Sequence, residues 1–210
     1  MTAAQIIAEF EKYVDDLTEL SSAEELVLCN KIYQEICDDR IWEFTKKAAT
    51  GMMASTTTIT VPSDFSGQFS ENVNMTDNSD SNEMNGRAAG ILINGVKWLR
   101  IINWSDRAAY ANQDGYAYFD VANNSIVTCY AQPSNATYGF DYKFVPPDLA
   151  LNDSPIFPAR YHAMIYHKMA TENFIINLFD KARSTGPDNA ALANGFFQRM
   201  CLWNANLLSN

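Results

Sequence analysis

The chain has 210 residues and a mass of 23.5 kDa, with 47% hydrophobic and 19% charged residues, enough for one well-buried core and short for two. A net charge of −10 argues against gripping nucleic acid, because phosphate is repelled rather than neutralised. No run approaches eighteen apolar residues, which excludes a helical membrane span.

The first element reads as a helix over residues 3 to 18, with Ile6, Phe10, Tyr13 and Leu17 at helical spacing behind a Thr2 cap. Ser22 followed by Glu25 has the spacing of a capping box. It opens a second helix with Leu26, Cys29, Tyr33 and Ile36 as its stripe, ending near Arg40 and just before Trp42. From about residue 44 to 150 the period drops from 3.6 to 2 and β-branched and aromatic residues become common, so this stretch reads as strands. Thr58-Ile59-Thr60-Val61 alternates and is stopped by Pro62. Ile91-Leu92-Ile93 and Val96-Lys97-Trp98 flank Asn94-Gly95, a pair suited to a turn with two positive φ angles, which predicts a hairpin. A second hairpin is expected between 118–121 and 126–129, a short helical connection at 105–111, and a last strand over 138–145 before Pro146-Pro147. Residues 63 to 86 carry five acids and no base and read as a long loop, either loosely packed or ordering against a neighbouring subunit.

Helices return after Pro158. Tyr161, Met164, Ile165, Met169, Ile175, Ile176, Leu178 and Phe179 cover more than one face, as expected of the central helix of a bundle. Gly186-Pro187 is expected to end it, with Pro187 opening a last helix whose stripe is Leu192, Phe196, Met200, Trp203 and Leu207. The expected fold class is therefore α+β: a helical bundle formed by N- and C-terminal helix pairs with an inserted antiparallel β region. Charge follows the same divisions. Residues 1–47 hold 11 acids and 5 bases, 48–154 hold 11 and 5, and 155–210 hold 3 and 5.

The residues that carry chemistry are sparse. His162 and His167 are the only histidines, and their spacing puts them about 140° apart around one helix, which suits neither a metal pair nor a shared pocket. Cys29, Cys37, Cys129 and Cys201 include no CxxC pair. Cys29 and Cys37 are roughly 12 Å apart along a helix, too far for a disulfide. The acid pairs Asp15-Asp16, Glu24-Glu25 and Asp38-Asp39 diverge around their helices and read as solvated surface. Residues 77–82 lack the glycine and glutamate of a calcium loop. The opening MTAAQIIAEF has neither a basic start nor a long apolar core and reads without a signal peptide. The expectation is a protein that is not an enzyme and takes no cofactor or metal.

Three stretches carry a resemblance. Residues 32–44, IYQEICDDRIWEF, form a helix ending in Arg40, Trp42 and Phe44; residues 60–65, TVPSDF, form a strand, a proline and an Asp-Phe turn; residues 142–149 and 157–162, YKFVPPDL and FPARYH, form a last strand and a proline-opened helix. In this order and spacing the chain resembles the head-to-tail adaptor proteins of tailed bacteriophages. The resemblance implies a single adaptor domain over 1–210, made of a helical pair at 1–47, a β insertion at 48–154 with the acidic loop 63–86, and a second helical pair at 155–210. It implies a structural virion protein of the neck, assembled in the host cytoplasm and placed at the portal vertex. Its partners would be other copies in a dodecameric ring, the portal protein on one side and a tail or nozzle protein on the other, with no membrane partner. Genomic DNA would pass through the lumen during ejection without tight binding, as acids facing that lumen would ensure. Residues 200–208 carry more apolar surface than a terminus needs, so Met200, Trp203, Leu207 and Leu208 either dock on the portal or pack within the bundle. The alternative reading is a carbohydrate- or surface-binding β module of a phage or bacterium, motivated by Trp98, Trp104, Tyr110, Tyr116 and Tyr118. It requires these aromatics exposed on one sheet face.

Overall fold

The computed structural model describes residues 1–15, 20–70 and 90–208, the side chain of Leu208 excepted. It contains two compact units: residues 1–44 with 146–210, and residues 45–145.

The first unit is helical. Helix α1 spans Ala3–Val14, capped by Thr2 and Gln5 in a reciprocal box, and it ends where Asp15 enters the left-handed region at φ 57°. The expectation of a helix to residue 18 runs past that end, and residues 16–19 lie outside the described ones. Its first amides would be orphaned by the geometry of any helix start. Here Ala3 N donates to the Asp153 carbonyl at 2.8 Å and Ala4 N to that of Leu151 at 2.9 Å. Helix α2 spans Ser22–Asp38. Its capping box uses Ser21 and Glu24, one residue earlier than expected, because Ser21-Ser22 and Glu24-Glu25 offer the same spacing twice.

The C-terminal part is a helix α3 (Ala163–Met169), a helix α4 (Asn173–Leu178) and a helix α5 (Asp180–Leu208). The expected break at Gly186-Pro187 does not occur, since α5 runs through Pro187 for 29 residues. An interior proline removes one amide from the ladder and crowds the carbonyl four residues back, a cost that the packing of the surrounding turns has to offset. Around it the Ser184 and Thr185 hydroxyls donate to the Lys181 carbonyl at 2.9 Å, while Ala182, Gly186, Asn189 and Ala193 are buried. The breaks lie instead at 170–172 and at Phe179, whose backbone is extended.

Helix α3 packs against α1, α2 and α5. The core between them holds Ile6, Phe10, Ile32, Ile36, Trp42, Met164 and Ile165, all fully or almost fully buried. Each such side chain contributes about 1.5–3 kcal/mol. The indole of Trp42 donates to the Ile36 carbonyl at 2.8 Å, satisfying one of the acceptors that the end of α2 leaves open. Asn30 clamps the returning chain, its amide donating to the Leu149 carbonyl at 3.0 Å and accepting from Leu149 N at 2.7 Å.

The second unit is an eight-stranded sheet: β1 (Lys46–Met52), β2 (Thr58–Thr60), β3 (Phe65–Phe69), β4 (Gly90–Ile93), β5 (Lys97–Ile102), β6 (Tyr116–Asp120), β7 (Ser125–Thr128) and β8 (Thr137–Phe144). Its order is β1-β8-β4-β5-β6-β7-β2, with β3 also paired to β8. Both expected hairpins form. Asn94 and Gly95 have φ of 52° and 71°, and Ile93 pairs with Lys97 across them. The β6–β7 hairpin pairs Asp120 with Ser125.

This arrangement corrects the expected fold class. The protein is α+β, but it is not a helical bundle of two helix pairs carrying an inserted antiparallel β region. The sheet is mixed, because β5 and β6 run parallel, with Arg100 opposite Tyr116. Parallel neighbours need a crossover of a dozen or more residues, and the exposed stretch 103–115 supplies one that local turn signals do not reveal. The sheet also has its own core of Ile59, Ile91, Ile93, Leu99, Ala117, Ile126 and Phe140, and the helical unit has three C-terminal helices rather than two. Within the stretch expected to be a loop from 63 to 86, residues 65–69 are strand β3. Phe65 and Phe69 pack on Phe140. The rest of that stretch from residue 71 lies outside the described residues.

The end of the crossover is tied down electrostatically. Asp114 is ion-paired with Lys97 and accepts from Gly115 N at 2.9 Å. Burial works against its ionisation, and these bonds outweigh it, holding the carboxyl below its ordinary range. Asp64 is set the same way by Lys47 at 2.6 Å and the Tyr142 hydroxyl at 2.7 Å.

Candidate docking surfaces

The titratable groups most apt for chemistry are occupied structurally. His162 precedes α3 and is buried, with Nε2 2.8 Å from the Phe157 carbonyl and Nδ1 3.0 Å from the Met1 amine. Nδ1 also lies 3.0 Å from the Met1 carbonyl; the neutral Nε2–H tautomer donates to the Phe157 carbonyl and accepts from the Met1 amine. Burial, followed by the positive N-terminus, pushes its pKa below the ordinary histidine value. His167 is buried on α3 and meets the Asn189 side-chain oxygen at 2.9 Å; burial lowers its pKa as well. Burial pushes the Cys29 thiol up to about 12, so it does not ionise near neutrality. Among the described residues no cluster of His, Cys, Asp or Glu is arranged to hold a metal ion, and no helix is long and apolar enough to cross a membrane.

The surface offers more. On α5, the four residues expected to dock are placed differently from one another. Met200 is fully buried in the helical core. Trp203 is half-buried, stacked on Phe44 at 6.2 Å and tilted against Tyr161 at 6.0 Å, with the Arg160 guanidinium over its ring. Leu207 is exposed, and the side chain of Leu208 lies outside the described ones. Asn204, also buried, accepts from Glu43 N at 2.8 Å and fixes the helix beside this end. Met200 and Trp203 therefore hold the last turns in place, and Leu207 presents surface.

Two features were missed by the sequence reading. Leu202 is 66% exposed, and it points about 140° away from Leu207 around the helix axis. Arg199 lies one turn before it, with its Nε donating to the Gly195 carbonyl at 3.1 Å and its guanidinium against the Phe196 ring. The second feature is an apolar groove of about 400 Å³ between α2 and α4. Leu20, Ala23, Val27, Leu28 and Phe174 line it, with Glu24 and Lys31 as its charged residues. Val27 is 70% exposed and Phe174 49%. The charge of Lys31 is met by Glu172 at 2.5 Å and Glu35 at 3.8 Å. The Glu24 carboxylate accepts only from Ser21 among the described residues, and these bonds lower its pKa.

The aromatics of the sheet unit are divided. Tyr116 and Tyr118 flank the buried Ala117 and so share its opposite face; both are half-buried, as are Trp98 and Tyr110, and Tyr110 packs on Tyr116 at 4.4 Å. Trp104 is exposed, with the Arg107 guanidinium 3.3 Å over its ring. That cation occupies a face that a sugar platform would need open.

A family model described as SU10 adaptor protein matches residues 1–201 of the chain. A search of curated proteins returns no match.

Proposed function

Because the chain belongs to the SU10 adaptor protein family, a family of phage adaptors, we propose that its copies form a dodecameric ring. That ring joins the portal to the tail or nozzle at the neck of the phage particle and lines the channel for genomic DNA during ejection. As a phage adaptor the chain has a structural role alongside other virion proteins. The match over residues 1–201, covering both units, is the observation that carries this reading. The whole chain acts as one adaptor domain, assembled in the host cytoplasm and placed at the portal vertex.

Physical properties support it. A net charge of −10 keeps a channel wall from holding DNA, provided the acids face the lumen. The role is non-enzymatic, and it leaves His162 and His167 to the packing contacts they already make. The last turn of α5 docks on the portal through Leu207 and Leu208, while Met200 and Trp203 hold that turn against the helical core. Replacing Leu207 and Leu208 together by Glu tests the docking in a portal pull-down. Loss of portal capture with an unchanged circular dichroism spectrum is expected; capture at the level of the unaltered chain would overturn it.

A further inference from the structure

The groove on α2 and the exposed turn of α5 complement one another, and neither is satisfied among the described residues. The groove is apolar and open, and Glu24 at its edge has no cationic partner among the described residues. The turn of α5 offers Leu202, the most exposed large apolar side chain described on that helix, with Arg199 one turn before it and no carboxylate partner among the described residues. Arg199 is the only charged residue between 189 and 210, whereas the outer face of a solvated helix is ordinarily studded with charges. The wider balance agrees: the segment holding the groove's α2 side, 1–47, has 11 acids to 5 bases, and the segment holding α5, 155–210, has 3 to 5.

We propose that the occupant of this groove is a second copy of the same chain, with Leu202 of the second copy seated beside Val27 and Phe174 and Arg199 reaching Glu24. Knob and hole are different surfaces of one molecule, so the contact is head-to-tail, and repetition of such a contact closes a ring or extends a filament. Leu202 and Leu207 face directions about 140° apart, which leaves the last turn available for the portal while the neighbouring subunit takes the other side. The inference rests on the ring reading for its biological setting and identifies the contact between copies that the ring would use.

The test is cross-linking between two populations of the full chain, both with Cys129 and Cys201 replaced by Ser. One carries Val27→Cys and the other Leu202→Cys; both positions are exposed, so the substitutions leave the core untouched. On mild oxidation of a concentrated mixture, disulfide-linked heterodimers are expected several-fold above the homodimers of either variant alone. Adding Glu24→Lys to the first population or Arg199→Glu to the second is expected to lower the yield, and both together to restore it. Equal homodimer and heterodimer yields, or charge reversals that leave the yield unmoved, would overturn the proposal. The ring reading is judged separately by the mass of the unaltered chain on the portal. A ring there without the Val27–Leu202 cross-link refutes this contact alone.

Discussion

Replacing Trp42 by Phe probes the piece of the helical unit on which the most depends. The indole is fully buried, stacked on Phe44 at 5.5 Å and edge-on to Phe197 at 5.9 Å, and its N–H serves the Ile36 carbonyl at 2.8 Å. Phenylalanine keeps a ring in place but has no donor. Leaving that buried acceptor without a partner costs about 1–3 kcal/mol. The lost part of the bicyclic ring leaves a void that adds on the order of 1 kcal/mol. The expected destabilisation is therefore about 2–4 kcal/mol, read as a lower urea midpoint of the 222 nm helical signal at unchanged slope. Trp104→Phe, on the exposed crossover, serves as the control and is expected to shift stability by less than about 0.5 kcal/mol. Equal midpoints for the two variants would refute the assignment of Trp42 as the cap on α2.

Asn30→Ala removes both halves of the clamp on Leu149 and is expected to cost about 1–3 kcal/mol in the same urea titration. Gly195→Ala should instead stabilise α5 by about 0.5–1 kcal/mol, since a methyl there meets nothing within 4 Å, and thermal melting would show it. Gly95→Ala should destabilise the sheet unit by about 1 kcal/mol, because φ is +71°. His162 and His167 both have folded pKa values below the unfolded one, so the unfolded chain binds protons more readily. The stability they confer is complete above the unfolded histidine pKa and falls as pH drops through it, levelling off below the folded values. Urea midpoints at pH 7.5 and pH 5.5 should fall for the unaltered chain and fall less for His167→Gln.

What the sequence made legible was local. The Thr2 cap, the Asn94-Gly95 turn and the β6–β7 hairpin each depend on a few adjacent residues, and each is where its chemistry requires. What escaped was decided at a distance. The parallel β5–β6 pairing depends on the crossover 103–115 folding back. Strand β3 exists because Phe65 and Phe69 find the ring of Phe140, some seventy residues on. Pro187 stays inside α5 because burial of Gly186 and Asn189 outweighs one missing amide. The surfaces follow the same division. The stripe ending in Met200, Trp203 and Leu207 was visible, but periodicity cannot tell which member turns inward, and Met200 does. Phe174 and Val27 belong to neither apolar stripe that the periodicity picks out, and the folded helices bring them together at the edge of a groove. One signal for the other face of α5 was available: a helix whose last twenty residues carry Arg199 as their only charge has an outer surface unsuited to stand alone in water.

The role as a ring adaptor is tested most directly by the native mass of the full chain, measured alone and after mixing with the portal protein of the same phage. A monomer of 23.5 kDa that joins the portal as a ring of about twelve copies is the predicted result, following the rule that such assemblies close by point symmetry. A chain that stays monomeric in the presence of the portal would contradict it.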